Sequence, residues 1–543
     1  MNLRRNHWPA LWLLLILVLV GAVRIRLLSM PLERDEGEYA YAGQLMLEGE
    51  PPYRLAYNMK MPGIYAAYAL IMAVFGQSSV GIHLGFMLVN FGAIVLLYFV
   101  GRNFLDRTGA VAASAAYALL SLSPHVQGFN AHATHFVVLA ALAATLLLLR
   151  ALERGGLAWF FWSGALFGLA FLMKQPGGAF FFFGGALIAW AAWRRKPHAW
   201  KTDGLRLAIY GAGITVPIVL TGWIMWRAGV WDKFWFWTVT YARVHATAIA
   251  WADGRVRLAR FFTDGPLDLI FWAVALAGWC CLLSAKGHAD EKFFFSTLLL
   301  CSAAAVFPTL NFTGHYFVLM LPVVALLAAR AGAAAAAWLA GQPFALARGA
   351  PWMLFGLLWV GVAWSHLGPF ILWGEREVTE RAFFINDFQV YPILADYLRS
   401  QSPPTAKLAV FGSEPELLFY AHRRSVTGYI YMYDLVQDQP FRQRMDKEMI
   451  SEVEQGRPDY VLFVNLAISW LPYPPESFQK FKDWMLHFTD SYYDACGVVT
   501  FPPNRFFWGT DCLRHVPAGH RFVVMYRRRS AASLEPHLPK SAP

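Results

Sequence analysis

The residues best suited to chemistry are acidic and lie near the start of the chain. The segment Glu33-Arg-Asp-Glu-Gly-Glu-Tyr-Ala-Tyr41 places four carboxylates within six residues. One of them could take a proton from an acceptor hydroxyl or amine, and a neighbour could orient it or hold a divalent cation. The alternative is a solvated helix start, because Asp and Glu are favourable in a first turn.

Two lysines stand just before prolines in otherwise apolar surroundings. Lys60 lies in Asn58-Met-Lys-Met-Pro-Gly63, and Lys174 lies in Phe171-Leu-Met-Lys-Gln-Pro-Gly177. A lysine near a helix N-terminus could hold an anionic phosphate, since the unpaired backbone N–H groups there also favour anions. The alternative for each is an interfacial side chain that snorkels to water. Both motifs therefore predict either phosphate binding or simple interfacial anchoring, and for Lys174 a carboxylate partner is a third possibility.

Histidines are the third group of candidates. Five of them lie on or near the predicted external face of the membrane, namely His125, His132, His135, His245 and His315. Imidazoles can position phosphate, relay protons or bind a metal. Their spacing matches no recognised metal motif, so a structural or interfacial role is the alternative for each.

The composition shows what must position these residues. The chain has 543 residues, of which 57% are hydrophobic and only 15% are charged, so it belongs in a bilayer. Before residue 374 there are 27 Lys and Arg against 15 Asp and Glu, and from there on 19 against 20. The positive charge in the apolar part is first a topology signal and only secondarily a hint of anionic ligands.

Apolar runs long enough to span a bilayer recur along the chain. About eleven qualify, near residues 8–28, 80–101, 109–124, 131–150, 157–173, 177–193, 206–228, 267–285, 293–310, 315–340 and 351–373. The loops between these runs are alternately rich and poor in Lys and Arg, and the rich loops are expected to be cytoplasmic. This pattern predicts a cytoplasmic N-terminus and an external region after residue 373. Residues 29–79 and 229–266 then form external loops. Residues 62–75 are too short to span and predict an interfacial or re-entrant helix.

The tail predicts a small extracytoplasmic α/β domain. Short buried strands are expected at 407–412 and 459–464, with a helix at 446–455 between them. The ending from Arg527 is expected to be disordered. Cys496 and Cys512 could pair if this region faces an oxidising compartment. We therefore predict a membrane module at 1–373, including the first loop, and a soluble domain at 374–543.

The order of these motifs resembles the C-type (GT-C) glycosyltransferase superfamily, in the branch of the protein O-mannosyltransferases and lipid A aminoarabinose transferases. The matching residues are Asp35-Glu36, Lys60-Met-Pro62, Gly168-Leu-Ala-Phe-Leu-Met-Lys174-Gln-Pro176 and His315-Tyr316. The resemblance covers residues 8–375 and implies an α-helical polytopic membrane protein of the GT-C type. Two departures stand out: Met59 replaces an acidic residue, and the fourth span begins without a carboxylate. Either His132 or His135 substitutes for that carboxylate, or Asp35 and Glu36 suffice.

The resemblance implies an inverting transfer of a sugar from a polyprenyl-phosphate donor to a lipid, glycan or protein acceptor. Asp35 would be the catalytic base, with Glu36 beside it. Cations rather than a general acid would stabilise the departing lipid phosphate. Lys60, Lys174, Arg243 and His315 are the donor-binding candidates. The expected location is the cell inner or plasma membrane among its lipids, with no nucleic acid partner and with the need for a divalent cation left open.

Two other classes of function stay as alternatives. A polyprenyl-lipid flippase or transporter would share the hydropathy and the buried cations, but it should show internal repeats and charges at mid-membrane. A membrane anchor that only presents the external domain would need neither eleven spans nor an acidic first loop. Sugar release from a polyprenyl-phosphate donor separates all three.

Overall fold

The fold comes from a computed structural model. It describes residues 7–263, 265, 267–340, 349–382, 388–470, 479–501, 504–516 and 521–530. Its α-helices within these ranges are α1 (Trp8–Arg26), α2 (Arg34–Leu47), α3 (Pro62–Phe75), α4 (Ser79–Gly101), α5 (Arg107–Leu120), α6 (Ala133–Arg154), α7 (Leu157–Met173), α8 (Ala179–Arg194), α9 (Trp200–Arg227), α10 (Trp231–Trp235), α11 (Ala242–Ala246), α12 (Trp251–Thr263), α13 (Leu269–Ser284), α14 (Ala289–Val306), α15 (Leu321–Ala340), α16 (Ala350–Ser365), α17 (Glu375–Ala382), α18 (Val390–Gln401), α19 (Pro415–Ala421), α20 (Tyr433–Val436), α21 (Arg442–Gly456) and α22 (Gln479–Tyr492).

The chain divides into two compact units. The first unit contains residues 1–30 and 59–378, and the second contains residues 31–58 and 379–543. The sequence assigned the whole first loop to the membrane module. In the structure, most of that loop belongs to the same unit as the tail.

The first unit is built from apolar helices. Each of the eleven predicted apolar runs is helical, with bounds that shift by a few residues. Within the described ranges, six helices are long and apolar enough to cross a membrane: Trp8–Arg26, Ser79–Gly101, Ala133–Arg154, Gln175–Arg194, Trp200–Arg227 and Gly314–Ala340. The last of these begins with a 3-10 segment, Gly314–Met320. The predicted helix at 62–75 is α3, while the number of spans and the side of each terminus stay predictions.

Small residues let these helices approach closely. A Cβ on Gly164 of α7 would overlap the backbone of Tyr210 in α9, and one on Gly278 of α13 would overlap the backbone of Leu327 in α15. Such close contacts favour the association of helices in a membrane, where the burial of apolar side chains alone contributes little to helix packing. The helix contacts thus hold the connecting turns, which carry the lysine and histidine candidates, in place.

The second unit has a six-stranded mixed sheet. Its strands are β1 (Lys407–Phe411), β2 (Arg424–Ser425), β3 (Tyr460–Asn465), β4 (Tyr493–Phe501), β5 (Arg505–Trp508) and β6 (Arg521–Arg528), in the spatial order β2-β1-β3-β6-β4-β5. β1 pairs in parallel with β2 and β3, in the register of Leu408 with Ser425 and of Val410 with Leu462, and the remaining pairs are antiparallel. The inward-facing apolar residues of β1, β3, β4 and β6 form a buried core.

These elements confirm much of the predicted tail. β1, β3 and α21 lie where strands and a helix were predicted. The expectation of disorder from residue 527 is wrong for Arg527 and Arg528, because both belong to β6, and residues 531–543 lie outside the described residues. Cys496 and Cys512 are free thiols. Burial and the neighbouring Cys512 raise the pKa of the Cys496 thiol to about 12.

Residues 31–58 pack tightly within the second unit, where α2 lies against α19. The amide of Leu32 donates to the Tyr420 hydroxyl over 2.7 Å, and the amide of Ser425 donates to the Tyr41 hydroxyl over 2.8 Å. The Tyr57 amide donates to the Gly428 carbonyl over 2.6 Å. Residues 31–58 are therefore hydrogen-bonded to the tail near both of their ends and in the middle.

Candidate active site

The acidic turn, residues 33–38, is the start of α2. Glu33 is the N-cap, and its Oε1 accepts a hydrogen bond from the Glu36 amide over 2.9 Å. Glu36 Oε2 in turn accepts from the Glu33 amide over 3.2 Å, which completes a capping box. This reciprocal arrangement satisfies two of the amides that a helix start leaves unpaired. Two of the four carboxylates thus hold the turn itself.

Burial distinguishes the four carboxylates from one another. Glu36 and Glu38 are fully buried and Glu33 is nearly so, whereas Asp35 is half-buried. Glu38 Oε2 accepts a hydrogen bond from Asn58 Nδ2 over 3.0 Å. The acids therefore lie at a helix start, as the alternative interpretation predicted, but most of them are buried rather than solvated. Asp35 is the acid of this turn that stays partly accessible.

The charge balance of the turn favours at least one bound proton. Burial, together with the negative charges of Asp35 and Glu36, raises the pKa of the Glu33 carboxyl well above its usual value, even though backbone N–H groups act against the shift. A raised carboxyl pKa means that the neutral form is favoured. Glu33 therefore keeps its proton to a higher pH than an exposed glutamate does.

Arg34 fastens the turn to the sheet of the same unit. Its Nη2 donates to Glu414 Oε1 over 2.8 Å, and its Nη1 donates to the Ile468 carbonyl over 2.9 Å and to the Tyr433 hydroxyl. Glu414 follows β1 directly and also accepts from the Ser469 hydroxyl. Burial acts to lower the pKa of Arg34, but Glu414 and the further acidic and phenolic groups around it together outweigh burial and raise that pKa. Arg34 is thus a buried cation held by a planar fork of donors.

Gly37 allows this close approach. A Cβ there would lie 2.6 Å from the Cβ of Glu416 and 2.7 Å from its backbone nitrogen, so no larger residue fits. Glu416 is fully buried, and neither of its carboxylate oxygens has a hydrogen-bond partner among the described residues. Burial and the nearby Glu414 raise the pKa of Glu416 well above its usual value, with Arg34 acting in the opposite direction. Glu416 therefore favours its neutral form.

Lys60 and Lys174 lie on neighbouring turns of the first unit. Lys60 precedes α3 and is half-buried. Lys174 ends α7, is only 5% exposed, and places its Nζ 4.1 Å from the centre of the Tyr316 ring. Gln175 Nε2 donates to the Met59 carbonyl over 2.5 Å, so the two turns are bonded to each other. Snorkelling does not describe Lys174, because an aromatic face rather than water meets its ammonium group.

His315 lies beside both lysines. Lys174 and Lys60 are each close enough for their charges to act on its ring. Its Nδ1 is 2.9 Å from Gln127 Oε1, and its ring stacks on that of His132 with 4.2 Å between centres. We call Lys60, Lys174 and His315 the lysine cluster. Two cations around one imidazole make a region that favours an anion.

The other candidates lie around this cluster or apart from it. His245 is on α11, and burial together with the positive charge of Lys60 lowers its pKa. Arg243 is on the same short helix, but its side chain is exposed. His135 is buried with its ring edge-on to Phe86, and His125 stacks on Phe261. These last two behave as packed core residues, as their structural alternative predicted.

The structure brings the sequence candidates into two groups and adds several partners that the sequence analysis missed. Asp35 and Glu36 lie together in the second unit, and Lys60, Lys174 and His315 lie together in the first. The partners that were missed are Arg34, Glu414, Glu416, Gln127 and, as a ring under Lys174, Tyr316. The position of Glu414 just beyond the predicted strand at 407–412 was a usable signal, since ligand-facing residues collect at the carboxyl ends of strands. A divalent cation stays a prediction.

Comparison with known proteins bears on the fold. Residues 59–226 match the family described as dolichyl-phosphate-mannose-protein mannosyltransferase. ArnT from Cupriavidus metallidurans, solved bound to undecaprenyl phosphate, aligns over 98% of this chain and 100% of its own, with 14% identity and a TM-score of 0.57. The fold is that of the GT-C glycosyltransferases.

A second GT-C structure agrees. The oligosaccharyltransferase AglB from Archaeoglobus fulgidus, in complex with an inhibitory peptide and a dolichol-phosphate, aligns over 96% of this chain and 76% of its own, with 14% identity and a TM-score of 0.51. No curated protein matches the chain in sequence. The predicted resemblance to the superfamily is thus confirmed. Together with its apolar helices, the GT-C fold makes the chain an integral membrane protein.

Proposed function

We propose that this protein is an inverting glycosyltransferase that moves a sugar from a polyprenyl-phosphate carrier to an acceptor on the non-cytoplasmic side of the membrane. One observation carries the catalytic assignment. Asp35 is the partly accessible carboxylate in a turn whose other acids are buried, and Glu36 is already used in the helix cap. A base must reach its substrate, so Asp35 is the base and Glu36 orients the turn.

The reaction needs a base at the acceptor and cations at the leaving group. Asp35 removes the proton from an acceptor hydroxyl or amine as that atom bonds to the anomeric carbon of the sugar. The bond from that carbon to the phosphate oxygen breaks, and polyprenyl phosphate leaves with the bonding electrons. Lys60 and Lys174 stabilise its negative charge, and His315 positions it. The proton on Asp35 then passes to solvent or to the released phosphate.

The bound polyprenyl phosphates in the two solved relatives support the class of donor. ArnT is bound to undecaprenyl phosphate and AglB to a dolichol-phosphate. The acceptor is a lipid, a glycan or a protein, and Arg243 on its exposed helix is a further candidate for contact with the donor. A flippase is the second candidate, which the buried cations alone do not exclude.

The direct test uses the full-length protein in proteoliposomes with radiolabelled polyprenyl-phosphate sugars. We expect the label to leave the lipid phase as polyprenyl phosphate forms. Asp35→Asn should lower this rate on the order of 10²-fold or more, because it keeps the shape of the residue but removes the base.

The matched control is Asp396→Asn, which changes an exposed acid of the same unit and should leave the rate within about twofold. Full activity in Asp35→Asn would overturn the assignment. Movement of intact donor across the bilayer without release of sugar would indicate the flippase.

A further inference from the structure

Helix α12 has a composition that no catalytic role requires. It connects the apolar helix α9, by way of α10 and α11, to the apolar helix α13. Its sequence, Trp-Ala-Asp-Gly-Arg-Val-Arg-Leu-Ala-Arg-Phe-Phe-Thr, holds three arginines and one aspartate. The connection that contains α12 begins and ends at apolar helices, and a helix with both apolar and cationic side chains in such a connection suits the surface of the bilayer.

A narrow stripe holds α12 on the first unit. Gly254 is buried, and a Cβ there would lie 2.8 Å from the Cβ of Leu310. Phe261, seven residues later on the same face, stacks on Phe317 with 3.5 Å between ring centres. The rest of the helix faces outward.

The outward side includes an apolar arc. Trp251, Val256 and Phe262 are 62%, 52% and 47% exposed, and at 3.6 residues per turn they fall within an arc of roughly 140°. Tryptophan and phenylalanine favour the boundary between headgroups and acyl chains. An exposed arc of this kind suits burial in that boundary.

The three arginines are spread around the same helix. Arg255, Arg257 and Arg260 are all exposed, and among the described residues none has a carboxylate within ion-pair distance. Arg257 donates to Asn311 Oδ1 over 2.6 Å. Arg255 and Arg257 point roughly 160° apart around the helix axis. Side chains that diverge in this way cannot converge on one phosphate, but they suit a layer of many phosphates.

We propose that α12 is an interfacial helix that binds the headgroups of anionic phospholipids. Its apolar arc lies among the upper acyl chains. Arg255 snorkels from within that arc to a phosphate, and Arg260 contacts a further headgroup from its border, whereas Arg257 lies on the opposite side of the helix. The surface therefore has one occupant, the anionic phospholipid of the surrounding bilayer, and it does not depend on the proposed transfer reaction.

The test is a native mass spectrometry titration of the full-length protein in detergent with phosphatidylglycerol, phosphatidylcholine and undecaprenyl phosphate. Each exposed arginine near an anionic surface contributes about a fivefold gain in affinity. The double variant Arg255→Gln with Arg260→Gln should therefore bind phosphatidylglycerol on the order of tenfold or more weakly, with phosphatidylcholine unchanged. Arg255→Lys with Arg260→Lys keeps the charge and should retain most of the affinity.

Asp253→Asn provides a control of opposite sign on the same helix and should strengthen phosphatidylglycerol binding by a few-fold. Because these side chains are exposed, each variant should keep the parent's elution profile and unfolding midpoint. Unchanged phosphatidylglycerol binding in the double glutamine variant overturns the proposal. An equal loss for phosphatidylcholine, or a loss confined to undecaprenyl phosphate, overturns it as well.

Discussion

The acidic turn and the lysine cluster belong to different units of the chain, and both bury charge. The carboxylates of the acidic turn find their partners in backbone amides and in Asn58, and Arg34 of the same turn pairs with Glu414. In the lysine cluster, Lys174 lies over the Tyr316 ring, and both lysines act on the imidazole of His315. The first arrangement fixes a geometry through directional bonds, whereas the second builds up positive potential. A catalytic base needs a fixed geometry, because its oxygen must lie within hydrogen-bond distance of one particular proton. A phosphate site needs positive potential instead.

The largest expected effect comes from removing the fork that holds the acidic turn. Arg34→Met leaves the buried Glu414 without its ion-pair partner, which costs about 3–5 kcal/mol. We expect the apparent unfolding midpoint of the full-length protein in detergent micelles to fall on the order of 10 °C.

The matched control for Arg34→Met is Arg54→Met. Arg54 pairs with Glu50 over 3.1 Å, but half of its side chain is exposed. An exposed pair contributes about 0–1 kcal/mol, so the midpoint should change by about 2 °C at most. Equal effects of the two variants would show that the Arg34 fork does not hold the turn.

The next effect concerns the lysine cluster. Lys174→Met removes a buried cation, so the KM for the polyprenyl-phosphate donor should rise about tenfold while kcat changes less. Steady-state kinetics of sugar release measure both. Lys174→Arg should keep most of the affinity. Lys201→Met, at an exposed position of the same unit, should leave the KM unchanged, and an unchanged KM in Lys174→Met would remove this lysine from the donor site.

The smallest effect tests the neutral acid under the acidic turn. Because the folded-state pKa of Glu416 is raised, its contribution to stability is complete below the unfolded value of about 4.3 and is lost as the pH rises through the folded value. Glu416→Gln cannot ionise and escapes that loss. Its unfolding midpoint should match the parent near pH 4 and exceed it by about 2–4 °C at pH 8–9.

The matched control for Glu416→Gln is Asp438→Asn, an exposed acid of the same unit, which should show no such divergence with pH. A parent and a Glu416→Gln variant whose midpoints stay parallel over this range would mean that Glu416 is already ionised in the folded protein.

The sequence predicted the features that depend on neighbouring residues. Apolar runs gave the helices of the first unit, and short apolar segments gave β1 and β3, because hydrophobic length and turn residues are local signals. The motifs also found both charged regions. What the sequence could not show is which distant residues complete them. Glu414 is 380 positions from Arg34, and only the tertiary packing brings the two together.

The sequence also could not predict how deeply each acid is buried. Four carboxylates in six residues look alike in a sequence, yet one is half-buried and two serve as caps. The capping box was present in the spacing of Glu33 and Glu36. The depth of Glu38 depends on the packing of α2 against α19, which no local pattern encodes.

The pairing of Arg34 with Glu414 has a consequence for how the protein is made. During synthesis the acidic turn emerges long before its partner, and at roughly 5–20 residues per second the interval is on the order of 20–75 s. Throughout that time Arg34 and its neighbouring acids must remain hydrated or be shielded by another molecule. A nascent chain halted before β1 would therefore carry Lys60 and Lys174 and still lack the buried partner of Arg34.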